Sequence, residues 1–239
     1  MNKDSKITMG WCDSGTVEGE FAANNIFLIS ELKKIGIEID AVIRIPGHFI
    51  DKQRDDILES WYSELNSEWL LFIDSDIVIT KESIISLIES ADENKRQIVS
   101  GIYFGTRELT DGLVATIPII YIKNDEGYNS YLGYPKKSVF EVDGIGMGYC
   151  LISRGAIAKF KEQYPNKRIF STEFNDSSDR RVNYVGEDLI FCKNMQSAGI
   201  QIFANSNATA AHIKKFAFTE RYYEKYNEIF RPNIIHAIK

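Results

Sequence analysis

Residues Trp69-Leu70-Leu71-Phe72-Ile73 form an unbroken apolar run that ends on Asp74-Ser75-Asp76. Such a run, lacking polar alternation, reads as a strand covered on both faces, so the chain must place layers on either side of a sheet. In open α/β sheets ligands gather at the carboxyl ends of such strands, and here that end carries two carboxylates one residue apart. Hard oxygen ligands at this spacing suit Mg²⁺ or Mn²⁺ carrying a nucleotide diphosphate, because these ions keep positions for phosphate oxygens and water. The triplet also reads as a turn ahead of a capped helix: Thr80 precedes Lys81-Glu82-Ser83, with Ile84, Leu87, Ile88 and Ala91 on one face.

Upstream, 7–11 reads as a first strand, 19–34 as a helix stopping before Gly36, 37–45 as a second strand and 51–65 as a second helix. This β-α-β-α-β order predicts a parallel sheet with right-handed crossovers, the framework of a nucleotide-binding α/β lobe. Further strands are expected at 97–104, 115–123 and 138–142, flanking a polar loop at 124–135. With no linker and no internal repeat, the expectation is one domain of two lobes, about 1–105 for the nucleotide and 106–215 for the acceptor.

A chain of 239 residues can bury a full core. Its net charge of −6 argues against nucleic acid as a partner and means that an anionic nucleotide needs local positive charge. The amino terminus lacks a signal-peptide core and no apolar run approaches a membrane span, so a cytoplasmic protein is expected. Cys12, Cys150 and Cys192 are odd in number and widely spaced, as reduced thiols are.

Three later motifs carry chemistry. Gly144-Ile145-Gly146-Met147-Gly148 lacks dinucleotide-fingerprint spacing and reads as a close-packed bend under a donor sugar, or as a bulged strand. Gly186-Glu187-Asp188 opens a helix over 189–198; its acids complement the helix dipole, or one of them accepts a proton from a hydroxyl beneath the polar loop 171–185, which contains Arg180-Arg181. His212 follows a strand at 200–204 and is either a packed imidazole or a third metal ligand, with Lys214 or Lys215 free to pair with a phosphate.

Taken in order, Asp74-Ser75-Asp76, the glycine bend, Gly186-Glu187-Asp188 and His212 resemble the motifs of nucleotide-sugar glycosyltransferases of the GT-A fold, closest to small single-domain family 2-like enzymes, over roughly residues 7–215. The resemblance implies a Rossmann-like nucleotide-binding lobe, a mixed central sheet and helices on both faces. It implies a metal site of Asp76 and His212, with Asp74 on the ion, its water shell or the ribose, and Mn²⁺ or Mg²⁺ as cofactor. Asp188 would be the general base of an inverting displacement, with Glu187 as neighbour or substitute. Arg54 would contact the donor nucleotide or its diphosphate, and Thr8, Gly10 and Asp40 its base and ribose; Gly146, in the bend, and Lys215 are expected on the donor from their own chemistry. The tryptophan-rich segment of processive members is missing, so transfer of a single sugar to a glycan, lipid-linked or small-molecule acceptor is expected.

Two other classes compete. A haloacid dehalogenase-type phosphatase would use Asp74 as nucleophile and Asp76 as acid and base, although its motif usually follows the first strand. A non-catalytic nucleotide-sugar binding module would keep the pocket and lack turnover, while a nucleotidyltransferase would want a basic loop where Asp13 stands. The tail, 216–239, carries Phe216, Phe218, Tyr222, Tyr223, Tyr226, Ile229 and Phe230 among charges. It is expected to form a helix packed on the parent domain, the other readings being a partner surface or a peripheral membrane contact.

Overall fold

A computed structural model of the chain describes residues 5–109, 114–125, 127–174 and 184–237. The first half runs β1 (Ile7–Asp13), α1 (Gly19–Lys34), β2 (Ile39–Pro46), α2 (Ile50–Glu64), β3 (Trp69–Ile73), β4 (Ile77–Ile79) and α3 (Lys81–Ser90). Then come β5 (Ile98–Ile102), β6 (Phe104–Glu108), β7 (Val114–Pro118), β8 (Ile120–Asn124), β9 (Gly127–Ser130), β10 (Val139–Val142) and β11 (Gly144–Ile145). The chain closes with β12 (Tyr149–Ser153), α4 (Arg154–Gln163), β13 (Glu173–Phe174), β14 (Tyr184–Val185), α5 (Glu187–Ser197), β15 (Ile202–His212) and α6 (Glu220–Ala237).

The main sheet has the order β10-β15-β5-β12-β3-β1-β2, with β4 paired to β15. As the β-α-β-α-β reading requires, β1 lies parallel to both β2 and β3. The sheet then becomes mixed, because β12 inserts antiparallel between β3 and β5. Strands β3, β5 and β12 are buried at every residue, whereas the edge strand β2 alternates between half-buried and exposed. Alternate residues of β3 feed two cores. Leu70 and Phe72 face Ile57 and Trp61 of α2, Phe160 of α4 and Phe191 of α5, while Trp69, Leu71 and Ile73 face Phe21 and Leu28 of α1 and Leu87 of α3. The result is a mixed α/β architecture with helices on both faces, the one expected from the sequence.

Local chemistry sets the element ends. The Thr80 and Ser153 hydroxyls accept from the amides of Ser83 and Ala156, capping α3 and α4. Gly36 and Gly199, at φ 82 and 69, stop α1 and α5 in the left-handed conformation that favours glycine. Three expectations need correction. The strand expected at 200–204 is β15, which runs on to His212. The segment 115–123 is two strands, β7 and β8, in different sheets that part at Ile119, and 97–104 divides likewise between β5 and β6. Helix α4 was not anticipated. In the tail, the rings of Phe216, Phe218 and Tyr222 pack edge to face beside the β6–β7 hairpin. Among the described residues no helix is long and apolar enough to cross a membrane.

Candidate active site

Strands β1 and β3 run parallel, so their carboxyl ends open on the same side of the sheet, where a cleft of about 720 Å³ is found. Its walls include Asp13, Asp74, Asp76, Tyr103, Asp188 and His212. The two carboxylates of the Asp74-Ser75-Asp76 turn part company there.

Asp74 turns inward. The Arg54 Nη2 group donates to its two carboxylate oxygens at 3.0 and 3.2 Å, while Nη1 donates to Glu187 Oε1 at 2.8 Å. Arg54 is 3 % exposed. Burial opposes its charge, but the carboxylates of Asp74, Glu187 and Asp188 hold it protonated. One guanidinium thus ties the end of β3 to the start of α5. Beneath it, the Asp74 amide donates to the Gly148 carbonyl at 3.0 Å and the Gly148 amide to the Tyr103 hydroxyl at 3.1 Å. A Cβ on Gly146 would lie 2.1 Å from that hydroxyl, and one on Gly148 2.8 Å from Asp74 Oδ2. Close approach of backbone to Tyr103 and Asp74 is therefore what this bend needs glycine for.

Asp76 turns to the other wall. Its Oδ2 lies 3.2 Å from His212 Nε2 and 2.7 Å from Lys214 Nζ. The antiparallel pairing of β15 with β4 sets His212 opposite Ile77, and the Ile213 amide extends the ladder to the Asp76 carbonyl at 2.8 Å. Burial alone would raise Asp76, but the hydrogen bonds and charges of His212 and Lys214 hold it down at about 2. His212 Nδ1 lies 2.8 Å from the Phe104 carbonyl, so Nδ1 carries a proton and Nε2 is the atom presented to Asp76. A carboxylate oxygen facing that nitrogen, with a backbone carbonyl fixing the ring, is a donor set suited to a divalent cation. Among the described residues no third His, Cys, Asp or Glu converges with them. Asp74, expected on the metal, is engaged by Arg54.

Asp188 stands at the start of α5 on the cleft wall. Burial raises its carboxyl to about 6; Arg54 and the Leu189 amide pull it down, and Glu187 and Asp74 push it up. Glu187 is buried, and its Oε1 accepts from Arg54 Nη1 at 2.8 Å.

The remaining expected donor contacts are scattered. Lys215 stands at the cleft rim, 92 % exposed and 3.8 Å from Glu18. Thr8 is buried and shares a 2.7 Å hydrogen bond with Ser67, Gly10 packs under Ile57, and Asp40 pairs with Lys6 at 3.1 Å. These three, with Arg54, Gly146 and Glu187, are not among the cleft-lining residues. Arg180 and Arg181 lie outside the described residues.

In their place the structure brings forward Asp13, His48, Gln53 and Tyr103. Arg44 grips Asp13 at 2.6 and 2.9 Å and, with the Gly15 amide, holds its carboxyl below the usual range despite burial. Gln53 donates to the carbonyls of Asp13 and Ile45, clamping the ends of β1 and β2 together. The signal for Asp13 was present: it is the acid ending the first strand, two residues past the boundary expected.

No protein-family model matches the chain, and no curated protein matches it. Among solved structures it is similar to A197 from STIV, with 21 % identity, covering 88 % of this chain and 86 % of that one at a TM-score of 0.52. That likeness is one of fold. Weaker likenesses exist to GalNAc-T7 with UDP, GalNAc and Mn²⁺, at 9 % identity, TM-score 0.46, 95 % of this chain and 47 % of that one. Similar in degree is a variant of the Drosophila β-1,4-galactosyltransferase 7 with manganese, UDP-Gal and xylobiose, at 12 % identity, TM-score 0.46, 91 % of this chain and 78 % of that one.

Proposed function

We propose that the chain is a metal-dependent glycosyltransferase of the GT-A type that moves one sugar from a nucleotide diphosphate sugar to an acceptor hydroxyl with inversion. The observation that carries this reading is the pairing of two opposed sites across one cleft. Asp76 and His212, 136 residues apart in sequence, meet at 3.2 Å on one wall, and Asp188, with its proton affinity raised to about 6, stands on another.

Asp76 and His212 would hold Mn²⁺ or Mg²⁺, which when bound supplies positive charge against the developing diphosphate. Asp188 accepts the proton of the incoming hydroxyl; a carboxylate near 6 is largely ionised at neutral pH and still basic enough for the task. Arg54 holds Asp74 and Glu187, and through Glu187 the first turn of α5, so that the base keeps its place. A diphosphate in this acid-rich cleft needs local positive charge, and the ammonium group nearest the Asp76 carboxylate is that of Lys214. The phosphatase reading is disfavoured because the nucleophile it requires, Asp74, is bound by a buried guanidinium.

The test is a screen of nucleotide diphosphate sugars with Mn²⁺ for binding and turnover. Asp188→Asn should keep donor binding and lose about 10²–10⁴-fold in kcat. Hydrolysis of simple phosphate esters without a nucleotide sugar, or undiminished turnover in Asp188→Asn, would overturn the assignment.

A further inference from the structure

Among the described residues lining the cleft, Asp13, Glu18, Asp74, Asp76 and Asp188 bring negative charge, and the ammonium groups are those of Lys214 and Lys215. Asp13 and Asp74 already have arginine partners. The two lysines differ in what they do. Lys215 is almost fully solvated, whereas Lys214 places Nζ 2.7 Å from Asp76 Oδ2, the same oxygen that faces His212 Nε2. A carboxylate oxygen offers two lone pairs. The atom on which a cation shared with His212 would sit is therefore already engaged by an ammonium, and two cations on one oxygen repel.

The backbone makes an exchange easy. The Ile213 amide is fixed to the Asp76 carbonyl, so Lys214 starts beside the carboxylate whatever its side chain does. That side chain is 45 % exposed, and its four-carbon stem rotates freely.

We propose that Lys214 is an exchangeable counter-ion: its ammonium neutralises Asp76 until a divalent cation takes that place with His212, and the displaced ammonium then grips the donor diphosphate. The proposal rests on the transferase reading above and assigns the diphosphate contact to Lys214 rather than Lys215. It makes the cation and the diphosphate mutually dependent, since each gains from the rearrangement the other requires.

The experiment measures Mn²⁺ alone by the free-ion electron paramagnetic resonance signal, then UDP, GDP, ADP and CDP by calorimetry at saturating Mn²⁺. Wild type, Lys214→Met and Lys215→Met are compared after thermal melts show all three folded. Lys214→Met should bind Mn²⁺ alone roughly two- to fivefold more tightly, as loss of a competing partly exposed ion pair allows. It should bind the diphosphate that wild type prefers about tenfold more weakly, with Lys215→Met unchanged in Mn²⁺ affinity. Unchanged or weaker Mn²⁺ binding in Lys214→Met, unchanged diphosphate binding, or equal tightening in Lys215→Met overturns the exchange. A wild type that binds Mn²⁺ but none of the four nucleotides defeats the transferase reading itself, a distinguishable result.

Discussion

Asp76 and Asp188 show how surroundings separate two identical side chains: one is driven down to about 2 and the other up to about 6. If Asp188 is the base, kcat/KM should climb as pH rises through about 6 and then level off, and a profile flat from pH 5 to 8 would exclude it. The same shift has a stability sign. Because the folded-state value exceeds the unfolded one, the contribution of Asp188 is fully present below about 4 and lost as pH rises through about 6. At neutral pH the carboxylate is thus a burden on folding, and Asp188→Asn should stabilise by about 1–3 kcal/mol at pH 7.5 and by nothing at pH 3.5, read from urea unfolding. Arg54→Leu should cost about 3–5 kcal/mol in the same assay, because it strands the buried carboxylate of Glu187 and takes the half-buried one of Asp74 from its partner. Asp76 and Asp188 were legible as candidates because one follows and the other opens a recognisable element, whereas His212 ends β15, a strand of which only the start was expected. The Arg54 bridge was not, since its partners lie 20 and 133 residues away and only folding brings them together.

Among elements, those with strong local grammar were the readable ones. The run that became β3 has no polar interruption, and α3 has both its cap and its apolar stripe. Helix α4 escaped because Gly155 follows its Ser153 cap, a weak opening for a helix of ten residues. The change of sheet at Ile119 has a local mark in Pro118, which ends β7 and has no amide to donate to a ladder, and a tertiary one beside it, since the Ile119 amide pairs with the Tyr103 carbonyl. The glycine bend was read as close packing, and a specific cost follows. Gly146→Ala should lose about 1–3 kcal/mol in thermal unfolding, since its Cβ would meet the Tyr103 hydroxyl and lie 2.5 Å from the Ile119 methyl. Gly133→Ala, where nothing lies within 4 Å, should be close to neutral.

For the whole molecule, the reading places donor and cation between β1, β3, α5 and the end of β15, so binding should report on global stability. A nucleoside diphosphate at about 100 times its Kd, with saturating Mn²⁺, should add about 2.7 kcal/mol and raise Tm by about 5–10 °C. No shift with any base would contradict it. The 11 residues of β15 join these regions, pairing with β10 and β5 early and with β4 late, and from Ala208 onward they alternate buried and exposed. Side chains along such a strand point to opposite faces in turn. Inserting or deleting a single amino acid between Ala208 and His212 would therefore swing the imidazole to the far side, whereas many replacements at Thr209 or Ala211 would leave it aimed correctly. Over this stretch, spacing is what descent must preserve, and spelling is comparatively free to drift.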